Sequence, residues 1–480
     1  MKFKTTIKKF MPTTILATLL TTTLTLTFDK CLAETKQSND WNVLFITSDE
    51  HNPKITGYEG NPTIKTPALD QLARQGTYFS KAYCATPVCA PTRQSIITGL
   101  YASQHGQYGN PDRFPETRKT WAHFFESKGY YTGLVGKTHH NNPSYHLGYS
   151  YWMEDSLLKA KRYKGGKFDS KDKILFDASP DKRFSAKIMN SLDDGHDGDV
   201  LKESIKFLTQ NKDKKFFLHA SFFAPHWPWS SPKEFYYMYD PAKIDMPVLI
   251  NGDLDDDPLA KKKYKKAKWD QLTPEQQRLF RTRYYASLSW VDYNIGELLK
   301  KLEQLGLSKK TLVVYTSDHG DMAGEKGLWL KNLMFDSAAR VPCIIRMPGV
   351  VPVNRKNEAL INHVDLFPTI AGLVGANSGL PKMAGKNYAE VVKGKGSGSK
   401  YTFSMDQTNA EGAQILMVRS TRWKYILENK KQVLYDMEKD PNEINNLAQK
   451  TEYKSILREH KKALDDFLTS LKEPTDPNSL

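Results

Sequence analysis

The segment Cys89-Ala90-Pro91-Thr92-Arg93 is the part of the sequence best suited to chemistry. It leads into a predicted helix, in which Pro91 suits the first position because it has no N–H to lose, and Gly99 suits the left-handed residue at the end. A helix N-terminus carries free N–H groups and partial positive charge, which favour an anion beside residue 89. Arg93 adds a fixed charge one turn later. The segment therefore predicts a reactive cysteine; the alternative is a buried thiol, since free cysteine is often buried.

Two aspartates follow predicted buried strands and are candidates for a metal site. Asp49 comes shortly after the apolar run 43–47, and Asp318 comes after the run 311–316. Carboxylates at the C-terminal ends of two strands can converge on one point, and calcium accepts such oxygen ligands in irregular geometry. An aspartate at either position could instead cap a helix or a turn. The pair together, on either side of Cys89 in the sequence, favours a metal.

Basic side chains in three further segments could bind an anion. Within the segment 136–139, Lys137 and His139 project to the same side, as alternate residues of an extended chain do. His226 lies between two prolines in an aromatic loop, and Lys331 ends the segment 327–331, downstream of Asp318-His319-Gly320. Fixed cations placed where anion oxygens gain charge are a large source of catalysis. Taken singly, the alternatives are a packed or surface histidine at 226 and a surface lysine at 331.

These motifs resemble those of the formylglycine-dependent sulfatases, the type I sulfatases of the alkaline phosphatase superfamily. The Cys-x-Pro-x-Arg signature begins at Cys89 and a Gly-Lys-x-His core begins at Gly136, and the likeness covers most of the chain after its N-terminal segment. The resemblance implies that Cys89 is oxidised to an aldehyde and that the aldehyde hydrate attacks the sulfur of a sulfate ester. It also implies a partner during biosynthesis, a formylglycine-generating or sulfatase-maturing enzyme.

The resemblance also implies a metal site. It makes Asp49, Asp318 and the modified residue 89 ligands of one calcium ion, with magnesium as the alternative. Glu50 and His319 stand where many members have Asp and Asn. We keep both as predicted ligands, although glutamate is longer and a hard cation has little preference for imidazole.

The same resemblance assigns catalytic roles to five side chains. Arg93 would favour the alkoxide form of the hydrate, and Lys137 would bind the sulfate group. His139 would hold a hydroxyl of the hydrate and later remove its proton. His226 would lie against the bridging oxygen of the ester, and Lys331 would assist the leaving group.

The rest of the chain predicts the frame that positions these residues. Apolar runs typical of buried strands occur at 43–47, 132–135, 215–221, 311–316 and 341–346. Helices are predicted between them at 67–75, 118–128, 200–209 and 279–305. This alternation indicates an α/β sandwich, and the resemblance implies the alkaline-phosphatase-like α/β/α fold with a large mixed sheet. We expect a catalytic domain over 34–375 and a C-terminal subdomain over 376–480, with a smaller antiparallel sheet and one packed helix at about 452–471.

The N-terminus is typical of a secretory signal. Four lysines precede a threonine-rich apolar stretch at 11–27, and small residues follow at 31–33. We expect a signal peptide over 1–33 and export to a bacterial periplasm or outside the cell; a membrane anchor or a lipid-attached Cys31 are the alternatives. No other run approaches a membrane span. Cys84 and Cys343 are expected to be buried thiols, with a disulfide between them as the alternative.

The formal net charge is +15, which attracts polyanions. Because the sequence has no nucleic-acid-binding motif, we expect the substrate to be a sulfated carbohydrate. We favour the algal carrageenan, ulvan or fucoidan type over glycosaminoglycan or choline sulfate. The lysine-rich run 261–266 is either solvated surface or one wall of a cleft for such a polyanion. The alternatives for the whole protein are a phosphate ester or phosphonate hydrolase on the same fold, or an inactive polyanion-binding homologue. The oligomeric state stays open.

Overall fold

The computed structural model describes residues 40–154, 157, 166–247, 254, 257–406 and 415–472, and an eight-stranded mixed sheet forms the centre of this part of the chain. Its strands are β1 (Asn42–Asp49), β2 (Thr77–Phe79), β3 (Tyr131–Gly136), β4 (Tyr151–Glu154), β5 (Phe216–Pro225), β6 (Thr311–Ser317), β7 (Cys343–Arg346) and β8 (Arg355–Asn357). The spatial order is β8-β2-β7-β6-β1-β5-β3-β4. β1 pairs in parallel with both β5 and β6, so the carboxyl ends of three strands lie side by side.

The central strands are apolar at consecutive positions, as the sequence predicts. Every residue of β1, β5 and β6 is buried. A parallel strand that is buried on both faces requires helices on both sides of the sheet. β7 runs antiparallel to its neighbours β6 and β2, which makes the sheet mixed. The predicted α/β sandwich with a large mixed sheet is therefore confirmed.

The helices of the described residues differ widely in length. They are α1 (Pro67–Arg74), α2 (Cys89–Thr98), α3 (Ala102–His105), α4 (Trp121–Ser127), α5 (Ser170–Asp177), α6 (Gly195–Gln210), α7 (Lys233–Tyr236), α8 (Pro258–Lys266), α9 (Pro274–Gln304), α10 (Asp336–Ala339), α11 (Leu366–Leu373), α12 (Ala389–Val392) and α13 (Lys454–Ser470). None of these helices combines the length and apolar character needed to cross a bilayer. Thr273 begins α9 with a capping box, in which its hydroxyl and backbone N–H bond to Gln276.

A second, four-stranded antiparallel sheet follows in the C-terminal part of the described chain. Its strands are β9 (Thr402–Asp406), β10 (Ile415–Arg419), β11 (Trp423–Glu428) and β12 (Lys431–Asp436). Helix α13 packs on β10 and β11 and buries Leu464 in a small apolar cluster with residues of the sheet. The predicted antiparallel sheet with one packed helix is confirmed. The domain boundary at residue 375 stays a prediction, and the described residues from Trp41 onward belong to one compact unit.

The structure corrects one local prediction and extends others. Helix α2 begins at Cys89, so Pro91 is its third residue and not its first. The lysine-rich run lies on helix α8, and strand β5 continues to Pro225, directly before His226. Cys84 and Cys343 are free, buried thiols. The predicted signal peptide at 1–33 lies outside the described residues.

Candidate active site

The ends of β1 and β6 bring two aspartates together at the carboxyl edge of the sheet. Asp49 is the last residue of β1, and Asp318 directly follows β6. The backbone N–H of Glu50 donates to Oδ1 of Asp318 over 3.0 Å, which ties the two strand ends together. Both aspartates are fully buried. The predicted convergence of these carboxylates is therefore present.

Cys89 lies at the start of α2, beside both strand ends. Its Sγ is 3.6 Å from Oδ1 of Asp49 and 3.1 Å from Nε2 of His319. Asp49, Cys89, Asp318 and His319 form a buried group whose ligand atoms all lie within 4.8 Å of one another. Burial raises the pKa of the Cys89 thiol, but nearby cations, above all Lys331 and Lys137, outweigh burial and hold the pKa well below its usual range. Position 89 thus sits where negative charge is stabilised.

His319 is oriented with one ring nitrogen toward this group. Its Nδ1 lies 2.9 Å from the carbonyl oxygen of Gly320, which can only accept, so Nδ1 carries a proton. Nε2 then faces Cys89 and lies 3.8 Å from Oδ1 of Asp49. Burial opposes protonation of this ring, but Asp318 and Cys89 outweigh burial and raise the pKa of His319. His319 therefore presents Nε2 to the sulfur of Cys89 and the carboxylate of Asp49.

The donor set suits a divalent cation. Two carboxylates and an imidazole nitrogen held by a second hydrogen bond are ordinary metal ligands. Burial also raises the pKa of Asp318, although Arg93 opposes the shift. Buried carboxylates must be paired with positive charge or coordinate a metal. Asp49, Asp318, His319 and residue 89 are therefore the residues that fit one cation.

Arg93, one helical turn after Cys89 in α2, contacts several groups of this site. Its Nε donates to Oδ2 of Asp318 over 2.9 Å, and one terminal nitrogen lies 3.4 Å from Oδ2 of Asp49. The other terminal nitrogen donates to the carbonyl oxygen of Lys137 over 3.0 Å and to Oγ of Ser221 over 2.8 Å. Arg93 therefore fixes both aspartates and the Lys137 segment in one geometry.

Lys137 and His139 approach the site from the end of β3. The ammonium of Lys137 donates to Oδ2 of Asp49 and lies 4.8 Å from the ring centre of Phe223. Gly136 has a φ of 102°, and a Cβ there would lie 2.0 Å from the carbonyl oxygen of Ser221, so only glycine allows this turn. His139 lies close enough to Cys89 to contribute to the lowered pKa of the thiol.

His226 and Lys331 reach the same edge from two other segments, and both contact Glu50. Nζ of Lys331 donates to Oε2 of Glu50 over 3.0 Å, and Nε2 of His226 lies 3.4 Å from the same oxygen. Burial lowers the pKa of His226 to about 4, helped by Lys331. Burial raises the pKa of Glu50 well above its usual range, although Lys331 opposes the shift. Glu50 therefore contacts one cation, Lys331, and a neutral His226, and its predicted role as a metal ligand stays a prediction. It belongs to a separate group with Asp49 and His226, whose ligand atoms also lie within 4.8 Å.

Comparison with known proteins decides the family. A family model described as Sulfatase matches residues 41–376, and a second model, described as N-sulphoglucosamine sulphohydrolase, C-terminal, matches residues 324–470. The chain belongs to the sulfatase family. This sulfatase is a sulfuric ester hydrolase, as the sequence predicts.

Similar proteins cover nearly the whole chain. A choline-sulfatase of Rhizobium meliloti is 28% identical over 426 residues, which are 85% of this chain and 82% of that protein. An ulvan-active sulfatase of Formosa agariphila is 27% identical over 455 residues, 90% and 81% of the two chains. The crystal structure of a phosphonate monoester hydrolase of Agrobacterium radiobacter matches with a TM-score of 0.75 at 22% identity, over 90% and 96% of the chains. The last likeness supports the fold alone.

The sulfatase site also contains residues that sequence reasoning missed. Ser221 lies in β5 and holds both Arg93 and the carbonyl oxygen of Lys137. Asp321 is buried, and its Oδ1 accepts from the backbone N–H groups of Ala323 and Leu330, next to Lys331. A serine within a largely apolar strand was the visible signal for the first of them.

Lys263 was hidden in the lysine-rich run of α8. Its Nζ donates to the carbonyl oxygens of Lys331 over 2.9 Å and of Asn332 over 3.0 Å. Leu330 and Asn332, on either side of Lys331, have φ values of 64° and 68°, a conformation unfavourable for residues other than glycine. Lys263 therefore stabilises the strained turn that presents Lys331 to the site.

We expect the substitution Lys263→Met to lower kcat about tenfold, because a small displacement of a catalytic group is enough for such a loss. KM and the midpoint of thermal unfolding should change little, since the methionine fills most of the same space. Steady-state kinetics with an aryl sulfate measure the effect. The matched control is Lys262→Met on the outer side of the same helix, and equal kinetics of the two variants would contradict the positioning role.

Proposed function

We propose that this sulfatase hydrolyses a sulfate ester of a carbohydrate, with residue 89 as a formylglycine whose hydrate is the nucleophile and with one calcium ion beside it. The observation that carries the proposal is the buried group Asp49, Cys89, Asp318 and His319 with cationic side chains around it. A thiol or a plain alcohol would keep the sulfate, whereas an aldehyde hydrate can expel it as the carbonyl reforms. That difference favours the modified residue over an unmodified cysteine.

The cation would be held by Asp49, Asp318, His319 and residue 89. A divalent ion here would supply the positive charge that favours the deprotonated form of a neighbouring hydroxyl. We do not include Glu50 in this set, because its carboxylate bonds to Lys331 and faces His226.

The chain's own residues then bind and orient the ester. Lys137 and Lys331 would neutralise the sulfate oxygens as they gain charge in the transition state. Arg93 holds Asp49 and Asp318 in place beside the nucleophile. His139, next to residue 89, would take the proton from the second hydroxyl of the aldehyde hydrate. The ring of His226 is oriented by its Nδ1, which lies 2.5 Å from the carbonyl oxygen of Trp227. Its Nε2 now faces Oε2 of Glu50 at 3.4 Å and, once protonated, would donate to the bridging oxygen of a bound ester.

A carbohydrate substrate is supported by the net charge of +15 and by the ulvan-active relative. We therefore propose a sulfated algal polysaccharide or oligosaccharide of the ulvan, carrageenan or fucoidan type. Such substrates are too large to enter a cell directly. The proposal accordingly includes export of the enzyme through the predicted signal at 1–33.

The activity is tested with a series of 4-nitrophenyl esters and purified enzyme produced together with a maturing enzyme. We expect kcat/KM for the sulfate to exceed that for the phosphate and for a phenylphosphonate by about tenfold or more. The phosphate carries a second negative charge, and the phenylphosphonate has a phenyl group in place of one of the oxygens that Lys137 and Lys331 would neutralise. Preference for the phosphonate would favour the hydrolase alternative on the same fold. Binding of a sulfated glycan without any sulfate release would favour an inactive homologue.

A further inference from the structure

A cleft of about 560 Å³ opens directly outside the catalytic groups. His226 and Lys331 are among its lining residues, so the cleft is continuous with the candidate active site. Trp227 also lines it and is only half-buried, so it offers a flat apolar surface of the kind that packs against sugar rings. Trp269 lines the cleft as well but is almost fully buried. Any part of a substrate that extends beyond its sulfate ester on this side must lie in the cleft.

Five further basic residues line the same cleft, and two separate segments supply them. One is Lys263, whose ammonium is bonded to the carbonyl oxygens of Lys331 and Asn332. Lys182 and Arg183 come from the segment after α5, and Lys266 and Lys268 come from the end of α8. Lys268 has a φ of 55°, in the region that glycine adopts more easily, so a cation is placed here despite a local backbone cost. Two unrelated segments thus converge with the same charge on one space.

Among the described residues, Arg183 is paired with an acidic side chain, whereas Lys182, Lys266 and Lys268 are not. Asp181 is the carboxylate among the lining residues that the structure describes, and it is already engaged by Arg183 at 2.6 and 2.8 Å and by Nε1 of Trp269 at 2.9 Å. Lys182 donates to the carbonyl oxygen of Asp177, which leaves its charge in place. Within the described residues, Lys266 and Lys268 form no ion pair.

We propose that Lys182, Arg183, Lys266 and Lys268 form a subsite for a second anionic group of the substrate, next to the sulfate ester that is cleaved. This inference rests on the proposed function and narrows it to carbohydrates with a further sulfate or a carboxylate on the same or the adjoining sugar unit. Each exposed pair alone contributes little, but several like charges in one concave site focus their field on a ligand. A quaternary ammonium, as in choline sulfate, would be repelled by the same charges.

Inhibition kinetics test the subsite without knowledge of the natural glycan. 4-Nitrophenyl sulfate, which has no second anion, is the substrate, and sucrose octasulfate and inorganic sulfate are the inhibitors. In the double variant Lys266→Ala/Lys268→Ala we expect the inhibition constant of sucrose octasulfate to rise about tenfold. The inhibition constant of inorganic sulfate and the turnover of the substrate should stay within about twofold of the original values, because the variant leaves the catalytic groups intact.

The matched control removes the same charge from the other side of the helix. Lys261 and Lys262 line a different surface cavity, so Lys261→Ala/Lys262→Ala should leave the inhibition constant of sucrose octasulfate almost unchanged. Equal effects of the two double variants would mean that only net charge matters, and that result would overturn the subsite. An unchanged inhibition constant in the Lys266/Lys268 variant would overturn it as well.

Two galactosides distinguish the kinds of second anion. Both galactosides carry the sulfate ester to be cleaved. The first has a second sulfate, and the second has a carboxylate at the same position. The galactoside that loses more affinity in the Lys266/Lys268 variant identifies the anionic group that the subsite prefers. If the enzyme releases sulfate neither from 4-nitrophenyl sulfate nor from a sulfated glycan, the proposed function fails. The subsite is then tested by calorimetric titration of sucrose octasulfate into the Cys89→Ala protein, where the Lys266/Lys268 substitutions must weaken binding and the control substitutions must not.

Discussion

The substitution Cys89→Ala will lower sulfate release from 4-nitrophenyl sulfate by a factor of about 10⁴ or more, as expected for loss of a covalent nucleophile. The methyl group can neither be oxidised to an aldehyde nor attack sulfur. Binding of inorganic sulfate should persist, because Lys137 and Lys331 remain. The measurement is sulfate release at saturating substrate, together with the inhibition constant or dissociation constant of sulfate.

Cys343→Ala is the matched control for this substitution. Cys343 is also a buried free thiol, but it lies in β7, outside the group of Asp49, Asp318 and His319. Its loss should cost about 1 kcal/mol of stability through a small cavity and leave turnover nearly unchanged. Substantial activity in Cys89→Ala would show that another group attacks the ester, and the role of residue 89 would have to be abandoned.

Removal of the divalent cation with a chelator will reduce turnover by about a hundredfold or more, because the metal supplies transition-state charge stabilisation that no side chain can replace. The midpoint of thermal unfolding should fall at the same time, since an ion that binds only the folded state stabilises it. Asp49 and Asp318 would then face each other in a buried site with less positive charge. Calcium should restore both properties, and a parallel addition of magnesium tests the alternative ion.

The variant Asp318→Asn distinguishes the effect of losing the metal from other effects of the chelator. The amide keeps the shape of the side chain but loses its charge, so elemental analysis should find much less bound metal and activity should stay low after calcium is added. Arg93 would also lose one of its anionic partners. Full activity of the chelated enzyme, with no metal by elemental analysis, would contradict the metal site.

The sequence predicted the residues whose positions follow from local structure. Asp49 and Asp318 end strands that are recognisable from their apolar runs, and the parallel pairing of those strands brings the two carboxylates together. Cys89 and Arg93 are one helical turn apart, so their common orientation is local as well. The positions of these four residues follow from recognising the two strands and the helix in the sequence.

Contacts between distant segments were not predictable in the same way. Lys263 is 68 residues before the carbonyl group of Lys331 that it holds, and Ser221 is 128 residues after Arg93. Nothing in a local pattern reports such a pairing. The contact of Glu50 with Lys331 was not predictable from its place next to Asp49, because it depends on a φ of 72° at Glu50. Its role as a metal ligand stays a prediction.

The same distinction applies to the fold. The long strands β1, β5 and β6 were predicted to within a few residues, because burial on both faces gives continuous apolar runs. The three-residue strands β2 and β8 at the edge of the sheet were missed, since so short a segment carries no period. Helix α8 was not predicted, because its sequence is dominated by lysine and shows no apolar period. The contact of Lys263 with the carbonyl oxygens of Lys331 and Asn332 is likewise not apparent from the sequence.

The central claim is that residue 89 acts as an aldehyde in the active enzyme. Mass spectrometry of the tryptic peptide from Ala82 to Arg93, taken from the same sample whose sulfate release is measured, tests it most directly. We predict that the turnover of different preparations rises in proportion to the fraction of this peptide in which Cys89 has become formylglycine. A fully active preparation in which the peptide carries only the unmodified thiol would contradict the account.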